Sequence, residues 1–577
     1  MAELTSPIGL IGKRAQPNWW DAVAFGLIIG LLAAVAHSAH GTVMSLNAVE
    51  EGRISLSPWA LPGYAMRTVM RMAAAMVASL VFTFTFAPLA AKSPRAGQIL
   101  IPLLDILQSV PILGFLTFTV TGFMALFPGS VLGLEFAAIF AIFTSQAWNM
   151  AFSFYQALTT IPRDLDEAAT NFQLSTWQRF WRLEVPIGMP GLVWNAMMSM
   201  SGGWFFVVAS EAITVGTHTI ALPGIGSYVV TALNARDLGA VAWAIVAMAL
   251  VILAYDQLLF RPLVAWADKF KFEQTASEAI DDPWALKLIQ RTRLMRAMLM
   301  PVEMGLGYIA RLRLGKPRAR APAALPRPLN IAFDISWYAM IALGLTWCLW
   351  RMFSYMAQTL HIGDVLDAVE LGGITFLRVI VLIVLASVVW VPIGVWIGLH
   401  PAWSRRVQSV VQFAAAFPAN LLFPIAVVLI VRGHGNADIW LSPLMILGTQ
   451  WYILFNVIAG ASVFPGDLRE ASANFGIKGW RWWRKVMLPG IFPYYVTGAI
   501  TASGGSWNAA IVAEVASWGS TRLHAHGLGS YIADATLNGD YQRVVLGIAV
   551  MSAFVIATNR ILWRPLYEYA GRRLRFD

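Results

Sequence analysis

Few residues in this chain are placed to do chemistry, and most of those lie in apolar surroundings. Arg71, Arg378, Glu211, Glu514 and Asp105 are ionisable groups inside or at the ends of long apolar runs. Charge is costly there and is expected to face a protein interior or an aqueous path. The two arginines are therefore candidates to attract an anion, weighed against a structural role beside carboxylates or helix ends. Glu211 and Glu514 would repel an anion unless paired, and are read as structural or gating groups. "SGGWFF" (201–206) and "GGSWNA" (504–509) fall mid-run, so Trp204, Trp507 and Asn508 are candidates to line a solute path. Their neighbouring glycines permit close helix approach. His524 and His526, two residues apart, are too few for a metal site, and Asp105 alone is thin evidence for a proton relay. No nucleophile–base cluster occurs, nor any G-x4-G-K-[ST] phosphate loop. The expected chemistry is binding and passage, with no catalytic residue, metal or cofactor on the chain itself.

The surrounding elements are membrane spans. Of the 577 residues, 58% are hydrophobic and 12% charged, with mean hydropathy +0.64. Soluble domains carry about 25% charged residues, and the shortfall here extends along the whole chain, so a polytopic membrane protein is the class that fits. A bilayer core of ~30 Å takes about 20 apolar residues as helix. That length predicts spans near 20–37, 64–90, 99–126, 132–158, 186–210 and 240–262, and again near 332–354, 372–399, 407–431, 437–462, 488–512 and 543–564. The first resembles a signal peptide, but 332–354 holds the same place internally and cannot be a cleaved leader, so 20–37 is kept as a span. The single cysteine, Cys348, reads as packing.

The net charge of +10 is unevenly placed. Residues 261–330 hold 13 Lys/Arg against 6 Asp/Glu. Residues 1–18, "AAKSPRAG", "HPAWSRR" and the C-terminal "GRRLRF" are also basic, while 38–62, 355–371 and 514–541 are not. This is the positive-inside pattern. It argues against nucleic acid as a partner and places both termini on the cytoplasmic side. Within the linker, "ALKLIQRTRLMRAMLMPVEMGLGYIARLRLGK" reads as an interfacial amphipathic helix and "PRARAPAALPRP" as an extended connector. A tether on the inner leaflet is favoured over a regulatory module.

The chain repeats itself. At an offset of 303 residues Trp148, Pro162, Asp164, Glu167, Trp177, Pro186, Trp204, Glu211, Gly224, Tyr228 and Pro262 meet Trp451, Pro465, Asp467, Glu470, Trp480, Pro489, Trp507, Glu514, Gly527, Tyr531 and Pro565. Upstream the offset is 307, pairing "TVMR" (68–71) with "TFLR" (375–378) and Pro111 with Pro418. Six spans per half is an even number, so the halves insert the same way up and are related by a pseudo-twofold axis along the membrane normal. The expected division is a first repeat over 1–264, a linker over 265–330 and a second repeat over 331–577.

Each half carries one polar loop between its fourth and fifth spans, 163–186 with "EAATNFQLSTWQRFWRLEVP" and 466–489 with "EASANFGIKGWRWWRKVMLP". Small residues would let a short helix sit in a partner's groove, while a second short helix braces it. The pattern resembles the E-A-A-x3-G coupling loop of binding-protein-dependent ABC importer permeases. "W-x6-E" followed by "GIGSY" or "GLGSY" is similar to the nitrate/sulfonate/taurine/bicarbonate group. The resemblance covers roughly 60–268 and 368–570.

It implies an all-α type I importer permease, about 12 helices in two parallel six-helix repeats, as a fused form of what is usually a homodimer. It also implies two ABC ATPase subunits, with ATP and Mg on those partners, and a periplasmic or lipid-anchored substrate-binding protein. The location implied is the bacterial cytoplasmic (inner) membrane, and the solute a small anion. By the same resemblance Glu167, Ala168, Ala169 and Gln173, with Glu470, Ala471, Ser472 and Gly476, form the ATPase-coupling sites, and Gly226 and Gly529 are structural or gating. Gln173 departs from the motif's glycine, and Asp166 stands opposite Arg469, so unequal docking sites are expected. A six-plus-six secondary transporter is the alternative, and a membrane enzyme ranks third.

Overall fold

Prolines and buried polar residues account for most of the helix boundaries. The computed structural model of the chain describes residues 54–215, 218–270, 284, 287, 292–315, 327–462, 464–518 and 521–573. The expected span 20–37 and most of the Pro-rich connector lie outside these residues, as does the side chain of Asp105.

Six described helices are long and apolar enough to cross a membrane: Pro58–Lys92, Thr176–Glu211, Leu238–Ala267, Ala332–Met356, Ile362–Gly398 and Tyr541–Ala570. Two more candidate spans are bent. Ser409–Ala416 meets Ala419–Arg432 at 75°, and Ala437–Leu447 meets Gln450–Ser462 at 43°. Against the expected twelve, the described residues thus hold six such helices, or eight with each bent pair taken as one span. The run 99–126 splits into Pro94–Ser109 and Ile112–Leu126, because Val110 is extended and Pro111 opens the next helix. The 132–158 and 488–512 runs are single helices, Leu132–Thr159 and Leu488–Ala513. They are less apolar because they bury Gln146, Ser503 and Ser506, which belong inside protein rather than against lipid.

Two antiparallel hairpins follow the fifth expected span of each half. Ala212–Val215 pairs with His218–Ala221, and Val515–Trp518 with Thr521–His524. Four-residue strands carry too little alternation to register in the sequence.

The chain divides into two units. One takes residues 1–40, 156–194 and 254–322. Its described part holds the first polar loop and the linker helix Arg293–Arg311. The other takes 41–155, 195–253 and 323–577. Its core is built on small residues: Ala499, Ala502, Ala510 and Ala513 have no exposed surface. A Cβ on Gly398 would stand 2.6 Å from the Ala461 Cβ, and one on Gly498 2.7 Å from the Tyr452 carbonyl oxygen. Small residues let helix backbones approach this closely where lipid offers no hydrophobic drive for association. Both repeats share this core, since Leu113 and Phe205 of the first pack against the cluster of the second.

Candidate coupling loops and buried ion networks

The first polar loop starts at Pro162, and Asp164 and Asp166 occupy the opening turn of the helix Arg163–Asn171, where negative charge complements the helix dipole. Ala169 is buried and Glu167 exposed. The helix stops at Gln173, whose φ is +49°. Gln173 N–H donates to Thr170 and Leu174 N–H to Ala169, the paired bonds of a helix ended by a left-handed residue. In the second loop the helix Gly466–Asn474 ends at Gly476, φ +64°, with the same bonds from Gly476 to Ala473 and from Ile477 to Ser472. The chain break expected to weaken without glycine is therefore kept in both copies. Gln173 holds it at a cost of roughly 1–2 kcal/mol, the ordinary penalty for a side chain in that region.

Beyond the break the copies diverge. Ser175 and Gln178 form a reciprocal cap on the short helix Thr176–Arg179. A π-turn, Phe180–Glu184, leads into the helix Val185–Glu211. The Arg179 guanidinium bridges back to Asp166 and forward to Glu184 at 3.2 Å. One charge therefore ties the helix Arg163–Asn171 to the base of the following span. At the equivalent positions the second copy has Arg469, Trp482 and Met487. Met487 is fully buried, so apolar packing there replaces an ionic brace. Asp166 thus joins a charge brace in the first loop, where the second has Arg469. Arg179 and Glu184, which complete it, were not singled out from sequence.

The intramembrane charges form two equivalent networks. Arg71 is bidentate to Glu135 at 2.6 and 2.7 Å and donates to Glu211 at 2.8 Å. Glu211 also accepts from the Thr68 hydroxyl and the Gly226 N–H, both at 2.6 Å. In the second repeat Arg378 pairs with Asp438 at 2.9 Å and with Glu514 at 3.2 Å. Glu514 accepts from Thr375 at 2.8 Å and from Ser530 N–H at 3.1 Å. Glu135 and Asp438 are themselves related by the 303-residue offset, a signal that the sequence carried and that reading for lone acids missed. Asp438 further accepts from His526 N–H at 2.6 Å. Arg71 and Arg378, weighed as anion contacts against a structural role beside carboxylates, each have their charge committed to two carboxylates, the structural arrangement.

These networks explain the glycine motif. Glu211 and Glu514 receive the first N–H groups of the helices Ile225–Asn234 and Leu528–Leu537, a helix N-terminus serving as a carboxylate site. A Cβ on Gly226 would lie 2.2 Å from the Val208 carbonyl oxygen, and one on Gly529 2.4 Å from that of Ala510. Only glycine permits this approach.

Trp204 and Trp507 have 2% and 1% of their surface exposed, which leaves no water-sized space against either ring. Both are packing residues in this conformation, which corrects the expectation that they line an open path. Among the described residues the Trp507 indole N–H has no partner. Asn508 is a cap: its carbonyl oxygen accepts from Ile112 N–H at 2.8 Å, closing the N-terminus of the first repeat's helix Ile112–Leu126 from the second repeat. At the pseudo-equivalent place Asn420 donates to the Phe205 carbonyl at 3.2 Å. The flanking glycines serve close contact, since a Cβ on Gly203 would be 3.0 Å from Gln146 and one on Gly505 2.5 Å from Thr449. His524 and His526 stand beside Asp534 and Asp438 respectively.

An all-helical membrane chain with two matched loops and two matched ion networks is a permease assembled from two copies of one domain. It belongs to the family of binding-protein-dependent transport system inner membrane components, which it matches over residues 79–260 and again over 390–575. The chain is thus a duplicated, fused ABC importer permease. It is 23% identical over 259 residues to the nitrate import permease protein NrtB of Leptolyngbya laminosa, covering 43% of this chain and 88% of that one. It is 24% identical over 176 residues to the bicarbonate transport system permease protein CmpB of Synechocystis, covering 30% and 60%. With the glycine betaine/proline betaine transport system permease protein ProW of Escherichia coli the identity is 25% over 236 residues, covering 41% and 60%. The chain therefore spans less than two thirds of the latter two.

Proposed function

We propose that this chain forms the whole membrane passage of an ATP-driven importer for a small anion of the nitrate, bicarbonate or sulfonate kind. It would couple to two cytoplasmic ATPase subunits that carry ATP and Mg. The observation that carries the reading is the pair of polar loops, each a short helix ended by a left-handed residue and joined through a second short helix to the fifth span. Glu167, Ala168, Ala169 and Gln173 in one loop, and Glu470, Ala471, Ser472 and Gly476 in the other, are the proposed coupling residues. The division at 1–264, 265–330 and 331–577, a bacterial inner-membrane location, cytoplasmic termini and delivery by a substrate-binding protein belong to the same reading.

The solute path is assigned to the boundary between the repeats, where Asn508 and Asn420 cross from one repeat to the other. Family likeness alone does not set specificity, so nitrate and bicarbonate rest on the names of two relatives and sulfonate on the likeness of the W-x6-E and GIGSY/GLGSY motifs. Tagged chain purified from its host should bring down an ATPase pair, and native mass spectrometry should count one permease to two ATPases. A stable dimer of the 63.3 kDa chain in the working complex would overturn the fused-permease stoichiometry. Nitrate, bicarbonate and taurine, offered in turn to the reconstituted complex, would identify the ligand by stimulated ATP hydrolysis.

A further inference from the structure

The linker does not merely join the repeats. Its helix Arg293–Arg311 ends against the second short helix of the first coupling loop. The Trp177 indole N–H donates to the Ile309 carbonyl at 2.7 Å, and the Gln178 amide to the Arg311 carbonyl at 3.1 Å. Past the helix end, the Trp177 backbone N–H donates to the Leu314 carbonyl at 3.3 Å. The last carbonyls of a helix lack intrahelical partners; here one loop side chain supplies a partner for that of Arg311, and another shares that of Ile309 with the Leu312 N–H. Gly315, at φ +80°, turns the chain so that a Cβ there would lie 3.3 Å from the Thr176 Cβ.

Among the described residues the second loop has no such partner segment. Trp480 and Arg481 stand where the first loop has Trp177 and Gln178, and Lys478 where it has the capping Ser175. Trp480 is 73% exposed, whereas Trp177 is half-buried and Gln178 buried. The linker grips only the bracing helix. Glu167, Thr170 and Asn171 on the coupling helix stay exposed, so the contact leaves the docking surface open.

We propose that Ile309–Gly315 is a permanent brace that holds the first coupling loop in its docking geometry before any ATPase arrives, while the second loop is ordered by its partner. Because the linker contributes main-chain carbonyls, the brace depends on Trp177 and Gln178 and on the helical backbone that places those carbonyls. Ordering a side chain in advance removes that entropy from the binding step, so the first site fills first. This rests on the coupling reading above for its consequence, but not for its geometry.

Hydrogen exchange on the full chain in nanodiscs, without ATPase, tests the geometry. Amides in 177–184 should exchange about tenfold more slowly than those in 480–487, the effect of roughly one net hydrogen bond. Replacing Ile309–Gly315 with a Gly/Ser sequence of equal length should remove that difference and leave 480–487 unchanged. Trp177→Phe, which keeps the ring and loses the indole donor, should remove part of it. Equal exchange in the two loops of the unaltered chain would overturn the brace.

Permanence is tested by locking it, with Thr176→Cys and Gly315→Cys in a Cys348→Ser background, the 3.3 Å Cβ separation lying just under the ~3.5–4.5 Å span of disulfides. The oxidised complex should retain ATP-driven transport, and loss of transport restored by reductant would show that the contact must open, refuting a permanent brace. A chain that shows the exchange difference yet never associates with an ATPase would refute the functional reading and leave the brace standing.

Discussion

Removing Arg71 should damage this protein more than removing Arg378, although the two residues are equivalent by sequence. Arg71 is 3% exposed, and its partner side chains Glu135 and Glu211 are 6% and 0% exposed. Arg71→Met would strand two carboxylates away from water. Breaking one buried pair costs about 3–5 kcal/mol, and with both partners stranded the upper end, about 5 kcal/mol, is expected. Arg378 also serves two carboxylates, but only Glu514 is buried, at 2%, while Asp438 is 37% exposed. An exposed pair is worth about 0–1 kcal/mol, and Asp438 keeps its bond from His526, so Arg378→Met should cost about 3 kcal/mol. Thermal midpoints in one detergent would rank the two variants. Arg71→Lys should fall between wild type and Arg71→Met, since an ammonium cannot reproduce the bidentate contact with Glu135. Combining Arg71→Met with Glu135→Gln and Glu211→Gln should recover part of the loss by removing the stranded charges. Equal losses for Arg71→Met and Arg378→Met would refute the argument. So would an Arg71→Met chain of wild-type stability that has lost affinity for its anion, because the charge would then be serving solute.

Three further outcomes follow from single contacts. Gln173→Gly should stabilise the first coupling loop by about 1 kcal/mol and Gly476→Ala should destabilise the second by a similar amount, read as opposite changes in local hydrogen exchange; no gain at Gln173 would deny its left-handed strain. Gly226→Ala and Gly529→Ala should abolish monodisperse expression, because the added carbon meets a backbone oxygen at 2.2 or 2.4 Å, whereas Gly63→Ala, with nothing within 4 Å, should be tolerated. Asn508→Leu should lower the thermal midpoint by an amount matching about 1–3 kcal/mol, the cost of stranding the Ile112 N–H; a changed solute preference at unchanged stability would instead place Asn508 on the path.

Sequence alone determined the membrane class, the duplication, the loop between the fourth and fifth spans, and most span positions. These depend on quantities additive along the chain: apolar length against bilayer thickness, and the recurrence of residues such as Glu167 and Glu470 at one offset. It also marked Glu211, Gly226 and their partners as a unit, because their spacing repeats. What each of those residues touches is not additive. Arg71 meets Glu135 across 64 residues and Glu211 across 140, and Asn508 meets Ile112 across 396. Nothing local distinguishes an arginine awaiting an anion from one already held by two carboxylates. The break at Gln173 was hidden for a related reason, since glycine propensity is weak beside the bonds to Thr170 and Ala169 that fix the turn. The linker was legible as an amphipathic helix, but its docking on Trp177 was not, because the contact is made to main-chain carbonyls that every residue carries. Tertiary structure decided these points because desolvation inside the protein drives buried charges and N–H groups to find partners, and which partner lies within reach is set by the packing of the helices.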